Sequence, residues 1–135
     1  MKKSILILVL AVLVSSFSAF SQKKGVTVEV LYFKATLSCC QGAACNALEG
    51  KIKTLVEENY QDQKVVFKEI KIADESNNQL VDKYSAKSQT VVIVKKRKAK
   101  ETFVDVSDIV SAYNTSKDEE TFNNNFKAKM DEIIN

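Results

Sequence analysis

The period of the apolar residues changes immediately after one short segment, and this change constrains the fold more than any other feature of the sequence. Residues 26–33, VTVEVLYF, are rich in β-branched and aromatic residues and predict a buried strand. The chain then becomes amphipathic with a helical period, and we expect this helix to end near Tyr60. Its inward stripe consists of Cys45, Leu48, Ile52, Leu55 and Val56.

Three further segments predict strands. Residues 64–72 form the second strand, and residues 90–94, TVVIV, are continuously apolar, as expected of a strand covered on both faces. Residues 101–106 form the fourth strand. They follow the basic residues 95–98 and Lys100, which we interpret as the solvated tip of a hairpin.

Two further helices complete the pattern. Residues 74–84 predict a short helix that Asp74 can cap. Residues 116–119, SKDE, match a capping box that opens a final helix. The order strand, helix, strand, helix, strand, strand, helix predicts an α/β protein. We expect a four-stranded mixed sheet flanked by helices, in the minimal thioredoxin-like arrangement.

The N-terminal residues 1–21 have the three-part layout of a secretory signal peptide: a basic start, an apolar run over residues 5–14 and a stretch of small residues. The apolar run is too short to span a bilayer. We therefore expect cleavage after Ser21 and one thioredoxin-like domain over residues 22–135. The mature protein would be exported, either periplasmic or secreted, and not attached to the membrane.

The composition excludes several classes of function. The chain has no histidine, which rules out a cysteine-histidine nucleophile and histidine-ligated metal sites. Its formal net charge is only +3, so charge gives no reason to expect nucleic acid as a partner. Export sets an oxidising environment, in which an odd number of cysteines leaves one thiol unpaired or engaged otherwise.

All three cysteines follow the first strand closely, at positions Cys39, Cys40 and Cys45, and Cys45 is also the first residue of the inward stripe of the helix. The carboxyl edge of an open α/β sheet, where this segment falls, is where reactive groups collect. We expect Cys45 to be the buried partner. Cys39 or Cys40 would be the attacking thiol near the helix N-terminus, where the dipole stabilises a thiolate. The spacing requires residues 41–44 to form a loop that folds back, and Gly42 makes this feasible.

Three interpretations of these cysteines remain open. Dithiol-disulfide exchange with protein thiols or disulfides would make the protein a thiol-disulfide oxidoreductase. Alternatively, Cys39, Cys40 and Cys45 hold a thiophilic ion without catalysis. As(III) and Sb(III) take three thiolates, and Cu(I) takes two or three. A disulfide that only staples the segment is the third interpretation.

Residues 28–134 resemble the small thioredoxin-like family named ArsF, often labelled a nitrophenyl-compound nitroreductase subunit. The resemblance implies that Cys39 and Cys45 correspond to the family's C-x-x-C pair and are followed by Leu48 and Glu49, with extra residues between the two cysteines here. No glycine-rich flavin or nicotinamide fingerprint is present. The resemblance rests on the cysteine segment and on residues 31–36, 45–49, 65–67 and 88–95.

The spacing Cys39-Cys40-x4-Cys45 separately resembles the motif of the arsenite metallochaperone ArsD, another thioredoxin-fold protein. That resemblance implies binding of As(III) by all three cysteines.

Thioredoxins also place a cis-proline before the central hairpin strand, beside the dithiol. Here Gln89 stands in that position and the chain has no proline, so docking of a substrate disulfide loses its usual organising residue.

Three other polar residues have simpler interpretations. Tyr32 is interpreted as a core residue adjacent to the thiols. Lys34 is interpreted as a solvated lysine. Asn114 begins a glycosylation sequon by pattern, and we interpret it as part of a helix cap or turn.

Overall fold

The computed structural model describes residues 25–36 and 39–135 of the chain, with side chains at 39–41 excepted. The predicted signal peptide, residues 1–21, lies outside the described residues, as do residues 22–24 and 37–38. The predictions that concern these residues are therefore not addressed by the structure.

Four strands form one mixed sheet, as the sequence predicted. They are β1 (Val26–Lys34), β2 (Val65–Lys71), β3 (Val91–Arg97) and β4 (Lys100–Asp105), and their spatial order is β2-β1-β3-β4. β1 is parallel to β2 and antiparallel to β3, and β4 is antiparallel to β3. Because β1 has neighbours on both edges, it is a central strand.

The helices lie between and after these strands. α1 spans Cys39–Asn59, a 3₁₀ turn at Glu75–Asn77 continues into α2 at Asn78–Lys83, α3 spans Ser107–Ser116, and α4 spans Glu119–Ile134. Asp74 caps the 3₁₀ turn by accepting a hydrogen bond from the backbone N–H of Ser76, as expected.

Two predictions about the C-terminal third are corrected by the structure. The sequence predicted no helix at α3, whose ten residues follow β4 almost directly. The expected capping box at residues 116–119 is also wrong. The N-cap of α4 is Asp118, which accepts from the N–H of Thr121, whereas Ser116 ends α3. Lys117 lies between the two helices with a left-handed φ of 58°, and this reversal allows one helix to end and the next to begin.

The helices cover both faces of the sheet and create two cores. One face of β1 and β3 packs against α1, α3 and α4, and fifteen buried residues form this larger core, among them Val30, Ile52 and Phe126. On the other face Leu31 and Phe33 meet the region of α2 in a smaller core. The protein is thus an α/β fold with a mixed four-stranded sheet, and alternate residues of β1 enter opposite cores.

We expect the substitution Lys98→Gly to stabilise the protein. Lys98 is the first residue of the tip between β3 and β4 and has a φ of 55°, a conformation that costs a non-glycine residue about 1 kcal/mol. The free energy of unfolding in urea should rise by about 0.5 to 1 kcal/mol. Ala99→Gly, at the neighbouring residue whose φ is not positive, is the matched control and should be neutral or slightly destabilising. Equal effects of the two substitutions would contradict this account.

Candidate functional site

The backbone around the cysteines is helical where the sequence predicted a loop. α1 begins at Cys39, so residues 41–44 lie in its first two turns. The prediction of a loop that folds back is therefore wrong. The consecutive alanines Ala43 and Ala44 have the highest helix propensity of all residues, and one glycine at position 42 does not stop the helix.

This helical backbone separates the cysteines. In an α-helix the Cα atoms of residues five apart, such as Cys40 and Cys45, are about 9 Å from each other, and those of Cys39 and Cys45 about 10 Å. A disulfide requires a Cα separation below about 7 Å. In the helical form Cys45 therefore cannot pair with either upstream cysteine, and its thiol is free.

Cys45 lies where the sequence predicted the buried thiol. Only 2% of the surface of Cys45 is exposed to solvent. The Sγ atom accepts a hydrogen bond from Nε2 of Gln89 at 3.2 Å and lies 4.0 Å from Oγ of Ser88. The hydroxyl of Tyr32 donates to the backbone carbonyl of Cys45 at 3.1 Å. Residues from β1 and from the turn before β3 thus surround this part of α1 at the carboxyl end of β1.

The turn before β3 holds Gln89 against Cys45. The N–H of Thr90 donates to the carbonyl of Lys87 at 3.0 Å, and the N–H of Gln89 donates to the carbonyl of Phe33 at 2.8 Å. Gln89 has a φ of 65°, a left-handed conformation at the third turn position that glycine or asparagine usually occupies. Glutamine adopts this conformation at a cost in free energy, and its side-chain amide donates to Sγ. In the part of the chain that the structure describes, no peptide bond is cis.

Asn114 completes this cluster from α3. Its Nδ2 donates to Oε1 of Gln89 at 2.8 Å. The sequence interpretation of Asn114 as a cap or turn residue is wrong, because the residue lies within α3 and its side chain contacts the turn before β3. Sequence reasoning missed this role since it did not predict α3, and no local motif marks a contact 25 residues distant along the chain.

An ionic cluster borders the same region. Nζ of Lys34 lies 2.7 Å from Oε2 of Glu49 and 3.3 Å from Oε2 of Glu69. The interpretation of Lys34 as a solvated lysine is therefore wrong: its side chain is 24% exposed and engages two carboxylates. The hydrogen bond with Glu49 raises the pKa of Lys34. Hydrogen bonds with Glu49 and with Lys34 hold the pKa of Glu69 below its usual value.

The phenol of Tyr32 remains protonated across the physiological pH range. Burial raises its pKa well above the ordinary value, and the neighbouring Cys45 and Glu49 raise it further. Tyr32 therefore acts as a hydrogen-bond donor at the site. It is not a base.

The described residues can be searched for side chains that would hold a metal ion. Among the residues it describes, no three cysteine, aspartate or glutamate side chains are close enough to hold a metal ion. The side chains of Cys39 and Cys40, which the alternative three-thiolate interpretation requires, are not among the parts that the structure describes.

No helix in the described ranges is long and apolar enough to cross a membrane.

Comparisons with known proteins leave the family open. No protein-family model matches the chain, and no curated protein matches it. Among solved structures, the chain is similar to one described as "Structure of a malarial protein", with 27% identity, 63% of this chain and 91% of that chain covered, and a TM-score of 0.39. A TM-score this low transfers neither fold nor function, so the resemblances to ArsF and ArsD stay predictions.

We expect Glu69→Gln to reduce stability in a pH-dependent manner. The pKa of Glu69 in the folded protein is lower than in the unfolded chain, where it is about 4.3. Its carboxylate therefore stabilises the fold above that pH, and the contribution is lost as the pH falls through the folded value. The variant should be less stable by about 0.5 to 1 kcal/mol at pH 7, and the difference from the parent should shrink toward zero in acid. Urea unfolding at a series of pH values measures this.

The matched control is Glu57→Gln. Glu57 is paired with Lys53 at 3.9 Å, and its side chain is 60% exposed. We expect an effect below about 0.3 kcal/mol at every pH. A deficit in Glu69→Gln that is constant from pH 7 to pH 3 would show that the ionic cluster does not act through the charge of Glu69.

Proposed function

We propose that this protein is an exported thioredoxin-like protein that carries out dithiol-disulfide exchange. Cys45 is the buried partner, and Cys39 or Cys40 is the attacking thiol. One observation carries the proposal: the Cys45 thiol lies buried at the carboxyl end of the central strand and accepts a hydrogen bond from the side-chain amide of Gln89. A buried cysteine with only a packing role requires no such donor.

The fold supports this proposal. The strand order β2-β1-β3-β4, with β3 antiparallel to its neighbours, and the helix after β1 agree with the thioredoxin-like arrangement expected from the sequence. Cys39 opens α1, and Cys45 is buried six residues later, about 1.7 helical turns along. An outer thiol at the helix N-terminus would benefit from the helix dipole, whereas the inner thiol is protected from solvent.

The exchange proceeds in two balanced steps. The thiolate of the outer cysteine attacks one sulfur of a substrate disulfide, and the other substrate sulfur leaves as a thiolate. Cys45 then attacks the outer cysteine's sulfur in the mixed disulfide, and the second substrate sulfur leaves. The protein loses two electrons and becomes an intramolecular disulfide, while the substrate is reduced to two thiols. Its partners are therefore protein thiols or disulfides.

Pairing with Cys45 requires a change in α1. The helical Cα separations of about 9 and 10 Å must shrink to the range of a disulfide, so the helix must unwind from Cys39 to Cys45. Two features of the sequence reduce the cost of unwinding. The first turn carries no acidic residue that would stabilise the helix dipole, and Gly42 costs about 1 kcal/mol relative to alanine in a helix.

The third cysteine favours one alternative function. Disulfide exchange uses two cysteines, Cys45 and one of the adjacent pair Cys39 and Cys40, so the third cysteine has no role in it. In the alternative, the same unwinding brings all three thiolates onto one soft ion, for which As(III), Sb(III) and Cu(I) are the candidates. The protein would then be a non-enzymatic binding protein.

Three single substitutions test the proposal and separate it from the alternative. Cys45→Ser should abolish catalysed reduction of a small disulfide. Of the two variants Cys39→Ser and Cys40→Ser, one should retain most of the rate and the other should lose it, because only one of these cysteines pairs with Cys45. The rates are measured with purified mature protein, and circular dichroism checks that each variant is folded.

Arsenite binding gives the opposite pattern if the alternative holds. Three-thiolate binding should be weakened strongly by each of the three substitutions, since every one removes a ligand. Intact mass after exposure to arsenite reports the adduct. A Cys45→Ser variant that exchanges disulfides as fast as the parent would refute the proposed role of Cys45.

A further inference from the structure

The amide of Gln89 offers two ends of opposite hydrogen-bonding character, and its orientation decides which one meets Cys45. Nε2 is a donor and lies 3.2 Å from Sγ. Oε1 is an acceptor and receives the hydrogen bond from Nδ2 of Asn114 at 2.8 Å. A rotation of the amide by half a turn would place Oε1 against the sulfur instead.

Asn114 is the residue that meets the other end of this amide, because its Nδ2 donates to Oε1 in the structure. The backbone of Gln89 is held by its hydrogen bond to Phe33 and by the turn that ends at Thr90. Its side-chain amide is held between Sγ of Cys45 and Nδ2 of Asn114. In the orientation that the structure shows, the donor on Asn114 matches Oε1 and would repel Nε2, so the amide of Gln89 can rotate only if that of Asn114 rotates with it. The half-buried location of both side chains strengthens this selection, because fewer water molecules compete for the amide.

The orientation matters at the moment when Cys45 receives negative charge. When a thiolate reduces a disulfide that contains Cys45 by attacking the other sulfur, the S–S bond breaks and its electron pair moves to Sγ of Cys45. An N–H group directed at Sγ stabilises this charge, as a hydrogen bond to an ion is stronger than one to a neutral atom. A carbonyl oxygen in the same place would oppose it.

We propose that Asn114 is a positioning residue for thiol-disulfide exchange: it orients the amide of Gln89 so that Nε2, and not Oε1, faces the sulfur of Cys45. This inference rests on the proposed function only in that Cys45 takes part in exchange. It assigns a role in the reaction to α3, an element that contributes no cysteine.

The test isolates Cys45 from the other cysteines. In a Cys39→Ser, Cys40→Ser parent, methyl methanethiosulfonate converts Cys45 to its methylthio disulfide. Dithiothreitol then attacks the methyl-bearing sulfur, the bond to Cys45 breaks, and Cys45 leaves as a thiolate. The rate of loss of the methylthio group is followed by intact mass at fixed pH.

The substitution Asn114→Asp should slow this step about tenfold, since a carboxylate at position 114 accepts from Nε2 and turns Oε1 toward Sγ. Asn114→Ala, which only releases the amide, should slow it about two- to threefold. Thr115→Asp is the matched control, because Thr115 is an exposed neighbour of Asn114 on the same helix. It adds the same charge without contacting Gln89, and its rate of release should stay within about twofold of the parent rate.

A purely structural role of Asn114 predicts a different order. Deleting the side chain would then be at least as harmful as changing it to aspartate, so equal rates for Asn114→Ala and Asn114→Asp overturn the proposal, as does an Asn114→Asp variant no slower than Thr115→Asp. Nuclear magnetic resonance adds a signature: the side-chain amide protons of Gln89 should respond to the methylthio group in the parent and lose that response in Asn114→Asp.

Gln89→Glu keeps the inference testable if the Asn114 variants do not fold. Its carboxylate accepts from Asn114 and presents no donor to Sγ, so it should also slow the release about tenfold, and an unchanged rate would refute the role of the amide. Because these variants lack Cys39 and Cys40, the outcome is independent of whether the intact protein reduces disulfides. Failure of the proposed function would appear in the intact protein and not in this assay.

Discussion

The strand β1 is hydrogen-bonded on both edges and buried on both faces, and the candidate site depends on that position. Its alternating residues join two cores, with Tyr32 facing α1 and Phe33 facing the region of α2. The same two residues hold the site together: Phe33 exchanges backbone hydrogen bonds with the turn that carries Gln89, and Tyr32 donates to the carbonyl of Cys45. Any shift of β1 along the sheet would separate the thiol from its amide donor.

A second constraint comes from α1. A continuous helix satisfies its backbone groups but separates Cys45 from the upstream cysteines by more than a disulfide can bridge. The reduced thiol and the intact helix therefore go together, and oxidation or capture of an ion would require the first turns to open. Gly42 and the absence of acidic residues in the first turn lower the free energy needed to open these turns. The buried stripe from Leu48 to Val56 holds the rest of the helix in the core.

The sequence predicted the parts of the structure that follow from local periodicity. The four strands, the burial of Cys45 and the inward stripe of α1 are confirmed, because apolar spacing determines which side of an element is buried. The helical state of residues 41–44 was not predicted, because the cysteine spacing favours a loop that brings the thiols together, whereas the propensity of two alanines favours a helix. The contacts of Lys34 and Asn114 could not be predicted, since each joins residues distant in sequence. Gln89 is the exception, because its position directly before the central hairpin strand already predicts that it lies beside the thiols.

The most direct test of this account is hydrogen exchange of a protein that spans residues 22–135, reduced and then oxidised in a glutathione buffer, with the disulfide identified by mass. The account predicts an intramolecular disulfide that includes Cys45. The amides of residues 43–46 should lose protection on oxidation, and those of residues 52–59 should keep it. An oxidised protein whose disulfide excludes Cys45, or one whose amides 43–46 stay as protected as in the reduced form, would contradict the assignment of Cys45 as the buried partner.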